Sequence, residues 1–137
     1  MASQLKVDTI TGVTTAGSIA VTGEGNSTTT NLQQGLAKAW LKWNGTGIIA
    51  LGDSFNCTSL TDNGVGRGQI DWVSAMSSKQ VATGCSASND EASDNRDRTA
   101  AFTPISASRA YFTTYECASG SADDCEANGG IVNGDLA

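Results

Sequence analysis

Short apolar alternations broken by glycine turns constrain this chain more than any other feature, and they are clearest in residues 34–76. Ala39, Leu41 and Trp43 alternate with Trp40, Lys42 and Asn44. A period of two puts successive side chains on opposite faces of a strand. Asn44-Gly45 then breaks the chain, because Asn and Gly reach positive φ at low cost. Residues 48–51 and 55–60 read as further strands. Asn63-Gly64, with Gly66 and Gly68 close behind, marks a hairpin tip wider than two residues. Residues 69–73 return, with Ile70 and Trp72 on one face and Asp71 on the other. All three tryptophans lie in this stretch, and aromatic side chains bury the most area per residue, so residues 40–73 are expected to supply much of the first half of the core. Trp40 and Trp43 have opposite parity. A regular strand turns only one of them into a single core and leaves the other for solvent or a partner.

On either side the pattern is weaker. Before Leu32 the sizeable apolar side chains other than Met1 are Leu5, Val7, Ile10, Val13, Ile19 and Val21, too few for a core. Strands at residues 5–7 and 19–21, joined by a Thr-Gly turn, are the simplest local expectation, and such a hairpin needs support from elsewhere. Residues 26–31 read as a polar linker ending in a candidate N-cap, Asn31. At most a short helix follows over residues 32–38, weakened by Gly35. Residues 80–87 form a weak strand, and 88–98 a polar solvent loop. Residues 99–105 and 108–117 are the strongest late strands. In the latter, Tyr111, Thr113, Tyr115 and Cys117 share one face, and Phe112, Thr114 and Glu116 the other. Pro104 marks an edge or bend, since it cannot donate to a ladder. Ile131-Val132 is a last short strand.

Seven to nine short strands with close turn signals predict an all-β fold, an antiparallel β-sandwich or jelly-roll-like domain. One domain is expected: an extended N-terminal arm over residues 1–33 and a body over 34–137. The sixteen glycines against a single proline agree with a turn-rich β-structure.

The net charge of −6 and pI of 4.3 argue against nucleic acid and against an anionic membrane surface as partners. The acidity is uneven. Asp8 and Glu24 face three lysines in residues 1–50, whereas the other twelve acids face five bases in residues 51–137. No run approaches the ~20 apolar residues of a membrane span, so no membrane insertion is expected. Residues 1–10 lack a signal-peptide pattern, which makes synthesis in the cytoplasm the expectation. The sequons at Asn26, Asn44 and Asn56 would matter only in a secretory pathway.

The four cysteines, Cys57, Cys85, Cys117 and Cys125, allow three pairings. Cys117 and Cys125 flank a turn-forming insert. A disulfide there would contribute roughly 2.5 kcal/mol, with Cys57 and Cys85 as the second pair. Four buried thiols are the alternative. With no histidine, the usual general base is missing. No G-x-S-x-G or P-loop occurs. Asp90, Glu91, Asp94 and Asp97 sit in a polar loop beside Arg96 and Arg98, where nothing raises a carboxyl pKa. No enzyme, cofactor or metal is expected.

The runs NLQQGLAKAW, WNGTG and DSFNCTSLTDNG, together with the opening LKVDTI, resemble small virion appendage proteins, tail-fibre and fibre-like, of marine tailed phages of the cyanophage type. The resemblance covers roughly the first half of the chain. It implies a homotrimeric fibre or fibre-tip that serves particle attachment or host-surface contact. It also implies an arm that docks on another virion protein, and location in virions made in the host cytoplasm and released by lysis. Leu5, Val7, Ile10, Ile19 and Val21 are the candidate docking residues. Trp40, Trp43, Trp72, Tyr111 and Tyr115 are the candidate core or interface residues, and a host glycan or receptor is a possible further partner. A capsid decoration protein and a carbohydrate-binding module are the alternatives.

Overall fold

The alternation at residues 39–44 becomes a strand, and its apolar positions set the inner face of a two-layer body. The computed structural model describes residues 5–12, 19–22, 29–89 and 98–136. The chain divides into two compact units, Met1–Leu36 and Ala37–Ala137.

In the first unit, β1 (Ala20–Thr22) pairs antiparallel with β2 (Thr29–Asn31). A one-turn helix, α1 (Leu32–Gly35), follows at once, and the Leu32 N–H donates to the Ile19 carbonyl at 2.8 Å. Two expectations are corrected here. Residues 5–7 form no strand, and the pairing partner comes from the Thr-rich run read as a linker. Threonine suits an exposed ladder even where no apolar face marks it. The helix stops at Gly35, whose backbone entropy disfavours a further turn. Leu5, Val7, Ile10 and Val21 are exposed, and Ile19 is half-buried.

In the second unit eight strands form two four-stranded antiparallel sheets. Sheet one has the order β4 (Ala50–Phe55), β3 (Ala39–Asn44), β10 (Ala127–Asn133), β7 (Ala82–Ser88). Sheet two has the order β5 (Cys57–Asp62), β6 (Arg67–Trp72), β9 (Arg109–Glu116), β8 (Arg98–Ser106). The hairpins β3–β4, β5–β6 and β8–β9 each stay within a sheet, so the body is an antiparallel sandwich. Pro104 lies on the edge strand β8, next to a register shift before Ser106, because an edge tolerates its missing donor.

The inner faces supply Leu41, Trp43 and Val132 from sheet one and Ile70, Trp72, Phe102, Ala110 and Phe112 from sheet two. Trp43 meets Phe112 with ring centroids 4.8 Å apart and tilted by 48°, a favourable offset geometry. Phe112 lies over Gly68, where any Cβ would overlap its Cζ and approach the Thr61 carbonyl to 2.8 Å. The chain passes from β4 to β5 through Asn56, the one described non-glycine residue at positive φ (60°). Its amide donates to the Lys38 and Ser74 carbonyls and accepts from the Ser74 N–H. The crossover is therefore pinned on both sides.

Candidate functional site

Strand register brings an apolar row to the outer face of sheet one. Phe55 pairs with Trp40, Trp40 with Ile131, and Ile131 with Gly84. Side chains in one cross-strand row share a face. Phe55 is 50% and Ile131 42% exposed, and Trp40 is half-buried. The adjacent row runs Asp53, Lys42, Gly129, Ser86. Because Gly84 and Gly129 carry no side chain, the β10–β7 side of the face is sunken. A groove of about 430 Å³ lies there, walled by Trp40 and Ile131 and floored by Gly84 and Gly129. A second of about 410 Å³ adjoins it, shares Lys42, Ser86 and Gly129, and reaches Glu126. A Cβ on Gly84 would stand 3.2 Å from Ile131 Cγ2, and one on Gly129 3.2 Å from Ser86 Oγ.

The outer face of sheet two is built from different side chains. Thr61, Gln69, Tyr111 and Thr103 form one row across it. The next holds Asp71 and Arg109, joined at 2.6 Å. The Arg109 hydrogen bond holds the Asp71 carboxyl below its usual range, against a smaller opposing effect of desolvation, and Gln69 adds a second bond. At one end Arg98, with only 7% of its side chain exposed, contacts Asp123 at 2.6 Å and Glu116 at 3.4 Å. Burial lowers the guanidinium pKa, but the bond to Asp123 and the two carboxylate charges outweigh it and raise it overall.

The candidate aromatics thus separate. Trp43 and Trp72 are core residues, Trp40 belongs to the outer row of sheet one, Tyr111 is exposed on sheet two, and Tyr115 is half-buried opposite Ala122. The glycines of residues 64–68 form a hairpin tip, closed by Arg67 N–H to Gly64 and Asn63 N–H to Arg67. Of the polar loop, residues 90–97 lie outside the described residues.

The disulfides are a correction, since none of the four cysteines is in a disulfide. Cys57 starts β5, whereas Cys85 lies on β7, at the far edge of the other sheet. Three strand spacings of about 4.8 Å far exceed the ~7 Å Cα limit for a bridge. Cys57 Sγ instead points to the Trp40 carbonyl and Cys85 Sγ to that of Ala100. Cys117 is exposed in the turn after β9. The returning segment pairs Ala122 with Tyr115 and bonds Asp123 to Thr114, which carries the buried Cys125 away from that turn. Burial pushes the Cys57 thiol up to about 11 and raises those of Cys85 and Cys125.

Among the described residues, no three His, Cys, Asp or Glu side chains converge as metal ligands, and no helix is long and apolar enough to cross a membrane. Phe55, Lys42, Ile131, Gly84 and Gly129 were not readable as one site, because only the pairing of β10 with β3 and β7 assembles them. The one sequence signal was Trp40's parity. No protein-family model, curated protein or solved structure matches the chain.

Proposed function

We propose that this chain is a structural virion protein of a tailed phage, a homotrimeric fibre or fibre-tip that serves host-surface contact. The observation that carries the reading is the Phe55–Trp40–Ile131 row. A sandwich whose core is already filled gains nothing for its own stability by displaying three large apolar side chains on an outer face. Such a surface belongs to an assembling protein. The exposed Leu5, Val7, Ile10 and Val21 of the first unit support a second attachment, to another virion protein. The grooves lack a histidine and any buried carboxylate pair, so they support contact better than catalysis.

The test is incorporation into particles. Replacing Leu5, Val7 and Ile10 together by Asp in the full chain should leave its oligomeric mass unchanged. It should lower its abundance in purified virions about tenfold or more, the equivalent of some 1.4 kcal/mol of docking. Undiminished incorporation overturns the docking role. Gold labelling of intact particles then decides between tail and head, and label on the head would move the chain to the capsid decoration class.

A further inference from the structure

We infer that the outer face of sheet one is the surface through which copies of this chain pack together, with the apolar ridge of one copy seated in the glycine-floored groove of the next. This rests on the reading of the chain as a homo-oligomeric virion protein and names the interface that reading leaves open.

Three observations select a second copy as the occupant. The first is shape. Ridge and groove lie side by side on one face, and the groove of about 430 Å³ has room for an indole or a phenyl ring between Gly84 and Gly129. Both glycines face outward, where a side chain would fill the groove. The second is charge. Lys42 and Asp53 stand directly across from one another, and Glu126 borders the adjoining groove. Neither Lys42 nor Asp53 makes an ion pair among the described residues; Asp53 only accepts the Ser54 N–H. A face that offers one cation and two anions beside an apolar ridge is complementary to itself, since each copy brings the charge the other needs. The third is the contrast with sheet two, where Arg109 already neutralises Asp71 and the adjoining outer row holds Thr61 and Thr103 with Gln69 and Tyr111.

In a trimer the contact would be head-to-tail, the ridge of each copy meeting the groove of the next. Such contacts close into rings when the rotation allows it, which is what a trimer needs. The ridge residues would then line the three-fold axis, and the ion-paired face of sheet two would look outward.

The experiment is light scattering on the full chain and four variants, over a hundredfold range of concentration, with circular dichroism to confirm the fold of each. The wild type should have a mass of about 42 kDa, three times 14.0 kDa. Ile131→Lys should have the mass of one chain with an unchanged β spectrum, while Tyr111→Lys on the other sheet stays at three. Lys42→Asp should dissociate at a concentration at least tenfold higher than the wild type, and Lys42→Asp with Asp53→Lys should restore assembly. A folded Ile131→Lys that keeps the wild-type mass overturns the assignment of this face and leaves the trimeric fibre reading standing. Equal disruption by Tyr111→Lys also overturns it. A wild type that stays at one chain throughout overturns self-association, and the virion reading is then judged by the incorporation assay alone. If that monomer's tryptophan emission shifts with bacterial surface polysaccharide, and the shift is lost in Trp40→Phe, the face goes to a glycan and the inference fails.

Discussion

Gly68 of sheet two and the outward-facing Gly84 and Gly129 of sheet one serve opposite ends. Sheet two places Gly68 on its inner face, where the absent side chain admits the Phe112 ring into the core. Sheet one places Gly84 and Gly129 on its outer face, where the absent side chains leave a groove. Charge follows the same division. On sheet two Asp71 and Arg109 satisfy each other, and on sheet one Lys42 and Asp53 do not. One layer pairs its charges within the chain, and the other leaves a groove beside a lysine and an aspartate that make no ion pair among the described residues. Composition cannot express this difference, since both layers draw on the same Gly, Thr and Asp.

The sharpest way to break the comparison is a pair of alanines. Gly68→Ala should destabilise the body by about 3 kcal/mol, because the new Cβ must displace a buried ring against backbone. Gly129→Ala should cost less than about 1 kcal/mol, since Ser86 Oγ can rotate away at the surface. Urea midpoints of the two variants measure this, and similar losses would mean the glycines do the same job in both sheets.

A smaller effect lies at the sheet edges, in alkali. Cys57 is held protonated up to about 11 by burial, whereas an unfolded thiol ionises near ~8.5. A raised folded pKa gives a contribution that is complete below the unfolded value and lost as pH rises through the folded one. Thermal stability should therefore fall between pH 9 and 11, and the fall should be reduced in Cys57→Ser. Four thiols should titrate in guanidinium, with the exposed Cys117 reacting ahead of buried Cys125 in the native protein.

The smallest effect sharpens the contrast in charge. Asp71→Asn should lower the melting temperature at pH 7 by no more than about 2 °C, as befits a half-exposed ion pair. The carboxyl's folded pKa is depressed, so its contribution is present above the unfolded value near ~3.9 and is lost as pH falls through the lower folded value. The deficit of Asp71→Asn should accordingly disappear in acid. Lys42→Ala, on the other sheet, should leave the melting of the dissociated chain unchanged.

Much of this architecture was legible before any coordinates. The alternation at residues 39–44, the hairpin tip at 63–68 and the split of Phe112 and Thr114 from Tyr111 and Tyr115 each depend on neighbours a few residues apart, and local parity reads them directly. The site was legible only as half a statement. Parity said that Trp40 or Trp43 faces away from the core, but which residues accompany Trp40 depends on register between strands far apart in the chain. Ile131 joins the row only because β10 slots between β3 and β7, and nothing near Gly129-Gly130 announces a central strand. The cysteine pairing failed for the same reason. Spacing suggested only that Cys117 and Cys125 are close, with Cys57 and Cys85 as the second pair, and sheet order put those two on opposite edges. The strand at residues 29–31 was missed because a run of threonines has no hydrophobic signature.

The position of β10 also bears on how the body is made. Strands β3 and β10 are the first and last of the sandwich, yet they are neighbours at the centre of sheet one. A chain emerging from the ribosome can complete sheet two while sheet one still lacks its middle, because contacts between distant segments form late. Ile131 and the floor of the groove arrive only with that final strand. On the proposed reading, unfinished or prematurely terminated chains lack the Gly129 and Ile131 portion of the surface their siblings recognise. On that reading self-association waits until synthesis has passed residue 131.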